Sequence, residues 1–224
     1  MTAEHVTGLF ELHVFVEPLD PPDDVVERFR AACRSASPPM KALLLELDYV
    51  GKGFVGVLQS SRYVEGDVAA ARAAIAGDAA HLRAAGFRVI REKIEAMATA
   101  AGVPGDAAAA QQSPTDRYFE FHVLIDRASG LTDDDMRTIR TLGEALAAQL
   151  GTPVPLSYNA LKPGQRFLNL RARGCGLDRA MRPVDELRAA LADRGALEVV
   201  KVIAEYICFD TNRAVDNGWL EPLP

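Results

Sequence analysis

One five-residue pattern occurs twice in this sequence, and the repeat limits the fold more than any other feature. Phe-Glu-x-His-Val is found at Phe10–Val14 and again at Phe119–Val123, an offset of 109 residues. Two further glutamates, Glu95 and Glu205, follow at an offset of 110. Matching residues at nearly equal offsets indicate two copies of one structural unit.

Each copy shows the same order of secondary-structure signals. Alternating apolar and polar residues predict strands, and amphipathic or alanine-rich stretches predict helices. The first copy reads strand 10–17, helix 22–37, strands 42–49 and 53–60, helix 67–85 and strand 89–95; the second reads 119–126, 132–150, 154–159, 166–173, 183–194 and 199–205. This β-α-β-β-α-β order predicts an α+β fold with two tandem ferredoxin-like units, whose antiparallel sheets carry helices on one face.

The domain boundaries follow from a shift in composition after the first copy. Small residues, Gly, Pro and Gln dominate between Met97 and Asp116, and this composition is typical of a flexible linker. We therefore predict a first unit at 1–97, a linker at 98–116 and a second unit at 117–208. Residues 209–224 form a polar C-terminal tail that contains the single tryptophan.

Charge and cysteine content exclude several classes of protein. A net charge of −6 argues against broad nucleic-acid binding, which depends on neutralising phosphates. The three cysteines are an odd number without CxxC spacing, which indicates reduced thiols. No apolar run approaches the roughly 20 residues of a membrane-spanning helix. We expect a soluble, cytoplasmic protein without a nucleic-acid or membrane partner; a homodimer is compatible with its polar sheet faces.

Polar residues recur on the strand face that points away from the helices. Residues two apart in a strand share a face, so Glu11 and His13 point one way while Leu12 and Val14 point the other. In a ferredoxin-like sheet the first and last strands are central neighbours. This places Glu95 beside the first pair, and Glu205 beside Glu120 and His122. If the two sheets cover each other, these charges must pair, bind a ligand or shift their pKa values.

The histidines and their neighbouring glutamates are the candidate catalytic residues. A histidine exchanges protons near neutral pH, and an adjacent carboxylate fixes its tautomer. We assign this role to His13, His122, Glu11 and Glu120. The same four residues are the candidate ligands if a divalent metal binds, although no motif such as HExxH is present and no cofactor is predicted. An internal layer of salt bridges is the structural alternative.

Basic residues in the second unit indicate recognition of an anion. Arginine presents a planar fork that suits phosphate or carboxylate groups. The predicted ligand-binding residues are Arg166, Arg171, Arg173, Lys93, Glu95 and Glu205, and Lys162 adds to the basic cluster.

Two resemblances accompany these motifs. With its paired Phe-Glu-x-His-Val strands and the segment 210–219, Asp-Thr-Asn…Asn-Gly-Trp, the chain resembles a group of uncharacterised bacterial proteins with two ferredoxin-like halves. It also resembles the 2H phosphoesterases, which pair two histidine-bearing strands to cleave cyclic or 2′,5′ phosphodiesters. That resemblance implies catalytic roles for His13 and His122. The family requires His-x-Thr or His-x-Ser, whereas this chain has Phe15 and Leu124 at the hydroxyl positions.

Together the patterns predict a pocket between the two sheets for a small phosphate- or carboxylate-bearing molecule. In this hypothesis the protein is an acid/base enzyme that uses His13 or His122. The alternative is a non-catalytic dimerisation or interaction protein, whose charged sheet faces form salt-bridge layers.

Overall fold

The computed structural model describes residues 5–17, 23–49, 53–127, 129–159, 165–192 and 197–212. The first half contains β1 (Thr7–Val16), α1 (Asp23–Ser35), β2 (Lys41–Tyr49), β3 (Gly53–Asp67), α2 (Val68–Ala84) and β4 (Val89–Met97). After α3 (Ala107–Gln111), the second half contains β5 (Tyr118–Asp126), α4 (Asp133–Leu150), β6 (Leu156–Asn159), β7 (Arg166–Arg173), α5 (Leu177–Ala180), α6 (Arg182–Ala192) and β8 (Glu198–Asp210). The predicted fold class is confirmed. Lys162 and Trp219 lie outside the described residues.

The eight strands close into one antiparallel barrel. Their order is β1-β3-β2-β6-β7-β5-β8-β4, so each half contributes four adjacent strands. The halves join where β2 pairs with β6 and where β4 pairs with β8. Closure leaves neither sheet with a free edge. The helices pack on the outer face, and the opposite face of both sheets lines a single lumen.

Strict alternation along β1 and β5 separates the apolar core from the lumen. Phe10, Leu12 and Val14 are buried on the helix side, in the same core as Phe29 of α1 and Ile75 of α2. In the second half, the outer apolar layer includes Phe119, Phe121, Val123, Ile139, Val184 and Leu187. Because successive side chains of a strand point to opposite faces, the polar residues between these apolar ones point into the lumen.

Helix α4 shows how the sequence signals define its ends. The Thr132 side chain accepts a hydrogen bond from the Asp135 backbone N–H at 3.2 Å, and the Asp135 carboxylate accepts one from Thr132 N at 2.8 Å. This reciprocal capping box confirms the predicted start of the helix. Gly151 ends it in the left-handed conformation, with φ of 63°. None of the helices in the described part of the chain is both long and apolar enough to cross a membrane.

The segment between the halves is held by backbone hydrogen bonds. The Leu177 N–H donates to the Pro104 carbonyl at 2.9 Å, and the Thr7 N–H donates to the Ala101 carbonyl at 3.0 Å. The segment also contains the short helix α3, which the sequence analysis missed. Composition predicts a flexible linker here and does not reveal these contacts, because they use backbone groups that every residue type provides.

Substitution of Gly176 tests how closely the segment between the halves packs against the start of α5. A Cβ added at Gly176 would lie 2.4 Å from the Asp106 backbone, whereas one added at Gly105 would meet nothing within 4 Å. We expect Gly176→Ala to lower the free energy of unfolding by about 1–3 kcal/mol through overpacking. Chemical denaturation of Gly176→Ala beside the control Gly105→Ala measures this difference. Equal midpoints would show that the segment does not pack closely on the start of α5.

Candidate functional site

The lumen is lined by polar and charged side chains from both halves. Directly paired strand residues point to the same face, and the register sets Glu11 opposite Glu95 and Glu120 opposite Glu205. The neighbour relations predicted from the ferredoxin-like order are thus confirmed. The polar side chains on this face include Glu11, His13, Gln59, Ser61, Tyr63, Arg91, Lys93, Glu95, Tyr118, Glu120, His122, Asn169, Arg171, Glu205 and Asp210.

In the first half, His13 lies between two carboxylates. Its Nε2 is 3.0 Å from Glu95 Oε2 and 3.6 Å from Glu11 Oε1, while its Nδ1 is 3.2 Å from the Ser60 carbonyl oxygen. Burial acts to lower the pKa of His13, but the charge and hydrogen bond of Glu95 and the charge of Glu11 raise it overall. Burial alone would raise the pKa of Glu95, but Lys93 and His13 hold the pKa of that carboxyl well below its usual range.

In the second half, His122 pairs with Glu205. Its Nε2 is 3.4 Å from Glu205 Oε2, and its Nδ1 is 2.5 Å from Asn169 Oδ1. The Asn169 amide nitrogen donates to Ser157 Oγ at 2.9 Å and to the Pro155 carbonyl at 3.1 Å, which turns its oxygen towards His122. That oxygen accepts the Nδ1–H, so the proton that His122 exchanges is the one on Nε2, facing Glu205.

This second pair retains a proton near neutral pH. Burial acts to lower the pKa of His122, but the hydrogen bond to Glu205 and the charges of Glu120, Glu205 and Glu95 raise it to about 9. Burial and the Glu95 charge raise the pKa of Glu205 to about 7. The His122 side chain is 27% exposed, compared with 8% for His13, so the second pair is the more accessible.

The buried cations of the lumen already face carboxylates. Lys93 Nζ contacts both Glu120 and Glu95, with 2.5 Å to Glu95 Oε1. Arg171 donates to Glu120 Oε1 from Nη2 at 2.7 Å and from Nε at 3.0 Å. Although burial alone would raise the pKa of Glu120, Arg171 and Lys93 hold it far below its usual range. The positive charge predicted to bind an anion is therefore largely neutralised within the chain.

The predicted arginine cluster is divided between two faces, which corrects the grouping made from the sequence. Arg166 differs in strand parity from Arg171, lies on the helix-covered face and stacks over the Tyr158 ring at 4.2 Å. Arg173 is exposed at the end of β7, with its guanidinium 4.9 Å from the centre of the Tyr118 ring. Proximity in sequence did not account for the alternation of a strand.

The metal-ligand set predicted from the sequence also rearranges. Donor atoms of Glu11, His13 and Glu95 lie within 4.8 Å of one another. Glu120 does not join them because two cations hold its carboxylate, and His122 faces a different carboxylate. The set of possible metal ligands therefore contains Glu95, which was predicted as a ligand-binding residue, in place of Glu120 and His122.

Sequence reasoning missed several lumen residues. Ser61 Oγ donates to Glu11 Oε1 at 2.5 Å, and Tyr63 donates to Glu11 Oε2 at 2.7 Å. Alternation along β3 would have placed both hydroxyls on this face. Arg91 forms a buried two-bond pair with Asp210, at 2.9 and 2.6 Å. That pair was not predictable, because a bulge shifts the register of β4 against β8 and brings a residue assigned to the tail into the sheet.

Large apolar side chains are exposed near the accessible polar groups. Leu9 is 45% exposed, Tyr63 57% and Met97 41%. All three have the strand parity of lumen residues, and they lie towards the same ends of β1, β3 and β4. The Glu11 carboxylate, 17% exposed, lies beside them. This end of the barrel combines an apolar rim with polar groups, as small-molecule sites commonly do.

Comparisons with known proteins place the chain in no family. No family model and no curated protein matches the chain. Among solved structures, a putative monooxygenase from Fusobacterium nucleatum subsp. nucleatum is 10% identical, with a TM-score of 0.33, over 93% of this chain and 96% of that one. A putative chlorite dismutase is 13% identical, also with a TM-score of 0.33, over 95% and 98% of the two chains. At such TM-scores neither likeness supports an argument about activity.

The resemblance to the 2H phosphoesterases gains no support from these comparisons. The residues at the required hydroxyl positions are apolar and buried in the lumen wall. Phe15 packs with Val57, and Leu124 is 6% exposed. The hydroxyl that would hold a phosphate two residues after each histidine is therefore absent.

Proposed function

We propose that the barrel lumen is an acid–base site for a small polar molecule, in which His122 and Glu205 exchange the proton. The observation that carries this proposal is the fixed and accessible geometry of His122. Asn169 and Glu205 hold its two ring nitrogens, while about a quarter of its side chain contacts solvent. Catalytic histidines require this combination of fixed orientation and access.

The two groups of the pair would have different tasks. Asn169 holds the Nδ1–H, so His122 gives or takes a proton through Nε2. Glu205 titrates near pH 7, where a general base works most efficiently. Neighbouring carboxylates raise the pKa of His122, and burial together with the Glu95 charge raises the pKa of Glu205. Such perturbed pKa values recur at acid–base sites.

The ligand that best fits the proposal carries a phosphate or carboxylate group on a compact body. Glu120 neutralises Lys93 and Arg171, whereas Glu205, with its pKa raised to about 7, would only partly neutralise protonated His122, which would therefore supply an accessible positive charge. The exposed rim formed by Leu9, Tyr63 and Met97 would contact the apolar part of the molecule.

Thermal-shift titration with inorganic phosphate and citrate tests this proposal. We expect at least one of the two anions to stabilise the wild-type protein, and His122→Gln to lose most of that stabilisation. His81→Gln is the matched control, because that ring lies on α2 outside the barrel and contacts the Ala32 carbonyl. If the two variants respond alike, or if neither anion stabilises the wild type, His122 is not the contact for an anionic ligand.

The non-catalytic alternative would have to use another surface of the molecule. The charged sheet faces that suggested a dimerisation role line the lumen of one chain. Exposed apolar residues such as Leu9, Met97 and Val200 would then be the contacts of a homodimer. Light scattering at low and high salt, with native mass spectrometry for bound small molecules, separates the two hypotheses. A dimer that forms without any small ligand favours the interaction role.

A further inference from the structure

Three ligand atoms of different residues meet at one point of the lumen. Glu95 Oε2 and Glu11 Oε1 both face His13 Nε2, at 3.0 and 3.6 Å. A single proton on Nε2 can form one good hydrogen bond, so it cannot satisfy both carboxylates equally. A cation at this point could contact all three atoms.

The separations fit a shared metal ion. Nitrogen and oxygen ligands bind Zn²⁺ at about 2.0–2.2 Å, so neighbouring ligands of the same ion lie about 2.8–3.6 Å apart in octahedral or tetrahedral geometry. Both separations at His13 Nε2 lie within this range, and all the donor atoms lie within 4.8 Å of one another. The carboxylate oxygens of Glu11 and Glu95, at most 4.8 Å apart, would approach each other where needed to complete the coordination.

Each of the three side chains is also oriented by a second contact. The Ser60 carbonyl, 3.2 Å from His13 Nδ1, can accept the Nδ1–H and leave the Nε2 lone pair directed at the shared point. The Gln59 amide nitrogen lies 2.8 Å from the same nitrogen, and a rotation of the amide group by about 180° would place its oxygen there to accept that N–H. Supporting contacts of this kind are characteristic of metal-binding histidines.

The carboxylates have equivalent support. Ser61 and Tyr63 donate to the two oxygens of Glu11. Lys93 contacts Glu95 through Oε1, which leaves Oε2 directed at His13. Lys93 also contacts Glu120, whose negative charge reduces the repulsion between Lys93 and the proposed ion.

We propose that Glu11, His13 and Glu95 bind one divalent first-row transition-metal ion, such as Zn²⁺ or Mn²⁺. One imidazole and two carboxylates suit these ions better than Ca²⁺ or Mg²⁺, which prefer oxygen ligands, or Cu⁺, which prefers sulfur. The two carboxylates balance the charge of the ion. Three protein ligands leave coordination positions open for water or a small molecule, as in catalytic metal sites.

This metal site goes beyond the proposed acid–base function and does not depend on it. Its ligands belong to the first half, whereas the acid–base pair, His122 and Glu205, belongs to the second. Metal binding is measurable without knowledge of a substrate, so either proposal can fail while the other stands.

The test is direct metal binding to the chelator-treated 224-residue chain. We expect isothermal titration calorimetry with Zn²⁺, and electron paramagnetic resonance with Mn²⁺, to give one ion per chain. His13→Gln and Glu11→Gln should each weaken binding by about 100-fold or more, and Ser61→Ala by about tenfold because it removes a supporting contact. Glu65→Gln, at an exposed position of β3, is the matched control and should bind as the wild type does. His122→Gln should also retain the ion.

Two results would overturn the metal site. One is the absence of saturable one-to-one binding by the wild-type protein. The other is binding that persists at wild-type affinity in Ser61→Ala and in whichever of His13→Gln and Glu11→Gln folds, since an ion held on the outer surface would be insensitive to these substitutions. Circular dichroism of each variant establishes that it is folded, and Ser61→Ala keeps the test valid should His13→Gln fail to fold.

Discussion

Replacing Glu120 by glutamine is expected to lower the free energy of unfolding by about 3–5 kcal/mol, because it removes one partner of a buried ionic group. Glu120 is 1% exposed and accepts from both Arg171 and Lys93. The neutral amide keeps the shape of the side chain but leaves two buried cations without the negative charge they share. The free-energy cost of burying the two cations then remains, while less Coulomb attraction offsets it.

Urea denaturation at pH 7 measures this change, and a thermal midpoint lowered by about 6–20 °C should accompany it in a chain of this length. Asp134→Asn is the matched control. Asp134 pairs with Arg137 on the surface of α4 and its side chain is 83% exposed, so the loss should stay within about 0.5 kcal/mol. Similar losses in Glu120→Gln and Asp134→Asn would mean that the lumen is hydrated well enough to screen its charges.

Strand parity explains why much of the lumen could be predicted from the sequence. Apolar and polar residues alternate over 10–14 in β1 and 119–123 in β5, so the apolar residues there identify the outer face and leave Glu11, His13, Glu120 and His122 on the other. The ferredoxin-like strand order then places a glutamate of the last strand beside each pair. Local periodicity and one topological rule were sufficient.

Pairing within the lumen depends on information that periodicity does not contain. Lys93 of the first half reaches Glu120 of the second because the barrel closes, and nothing in either strand pattern specifies that closure. Arg166 was grouped with Arg171 by proximity in sequence, although the two point to opposite faces. Contacts across the barrel decide which charges are neutralised, and therefore which residues remain able to bind a ligand.

Stability is expected to fall as the pH rises from about 6.5 to 9, with His122 contributing about 3 kcal/mol of that fall. Its pKa is 6.5 in the unfolded chain and about 9 in the folded protein, where Glu205, Glu120 and Glu95 face it. A raised folded pKa means that the folded state binds the proton more tightly. The contribution is therefore complete below pH 6.5 and is lost as the pH passes through 9. A pKa difference of about 2.5 corresponds to about 3 kcal/mol.

The Glu205 carboxyl acts in the same direction over a lower range. Its pKa rises from 4.5 to about 7, so the stabilisation from its bound proton is lost as the pH rises through 7. Glu95 and Glu120 act in the opposite direction, because their lowered pKa values make protonation below about pH 4.5 destabilising. The opposing trends place the stability maximum on the acidic side of neutrality.

Denaturant unfolding at half-unit intervals from pH 5 to 10, for the wild type and His122→Gln, isolates the histidine contribution. The wild-type curve should descend between pH 6.5 and 9, and the variant curve should be flatter over that interval by about 3 kcal/mol. His81→Gln, outside the barrel, should retain the wild-type slope. Parallel curves for the wild type and His122→Gln would mean that His122 titrates near its ordinary pKa, and the acid–base pair would then lose its physical basis. If only the His122→Gln curve is flatter than the wild-type curve, the lumen carboxylates raise the pKa of His122 and so stabilise its protonated form.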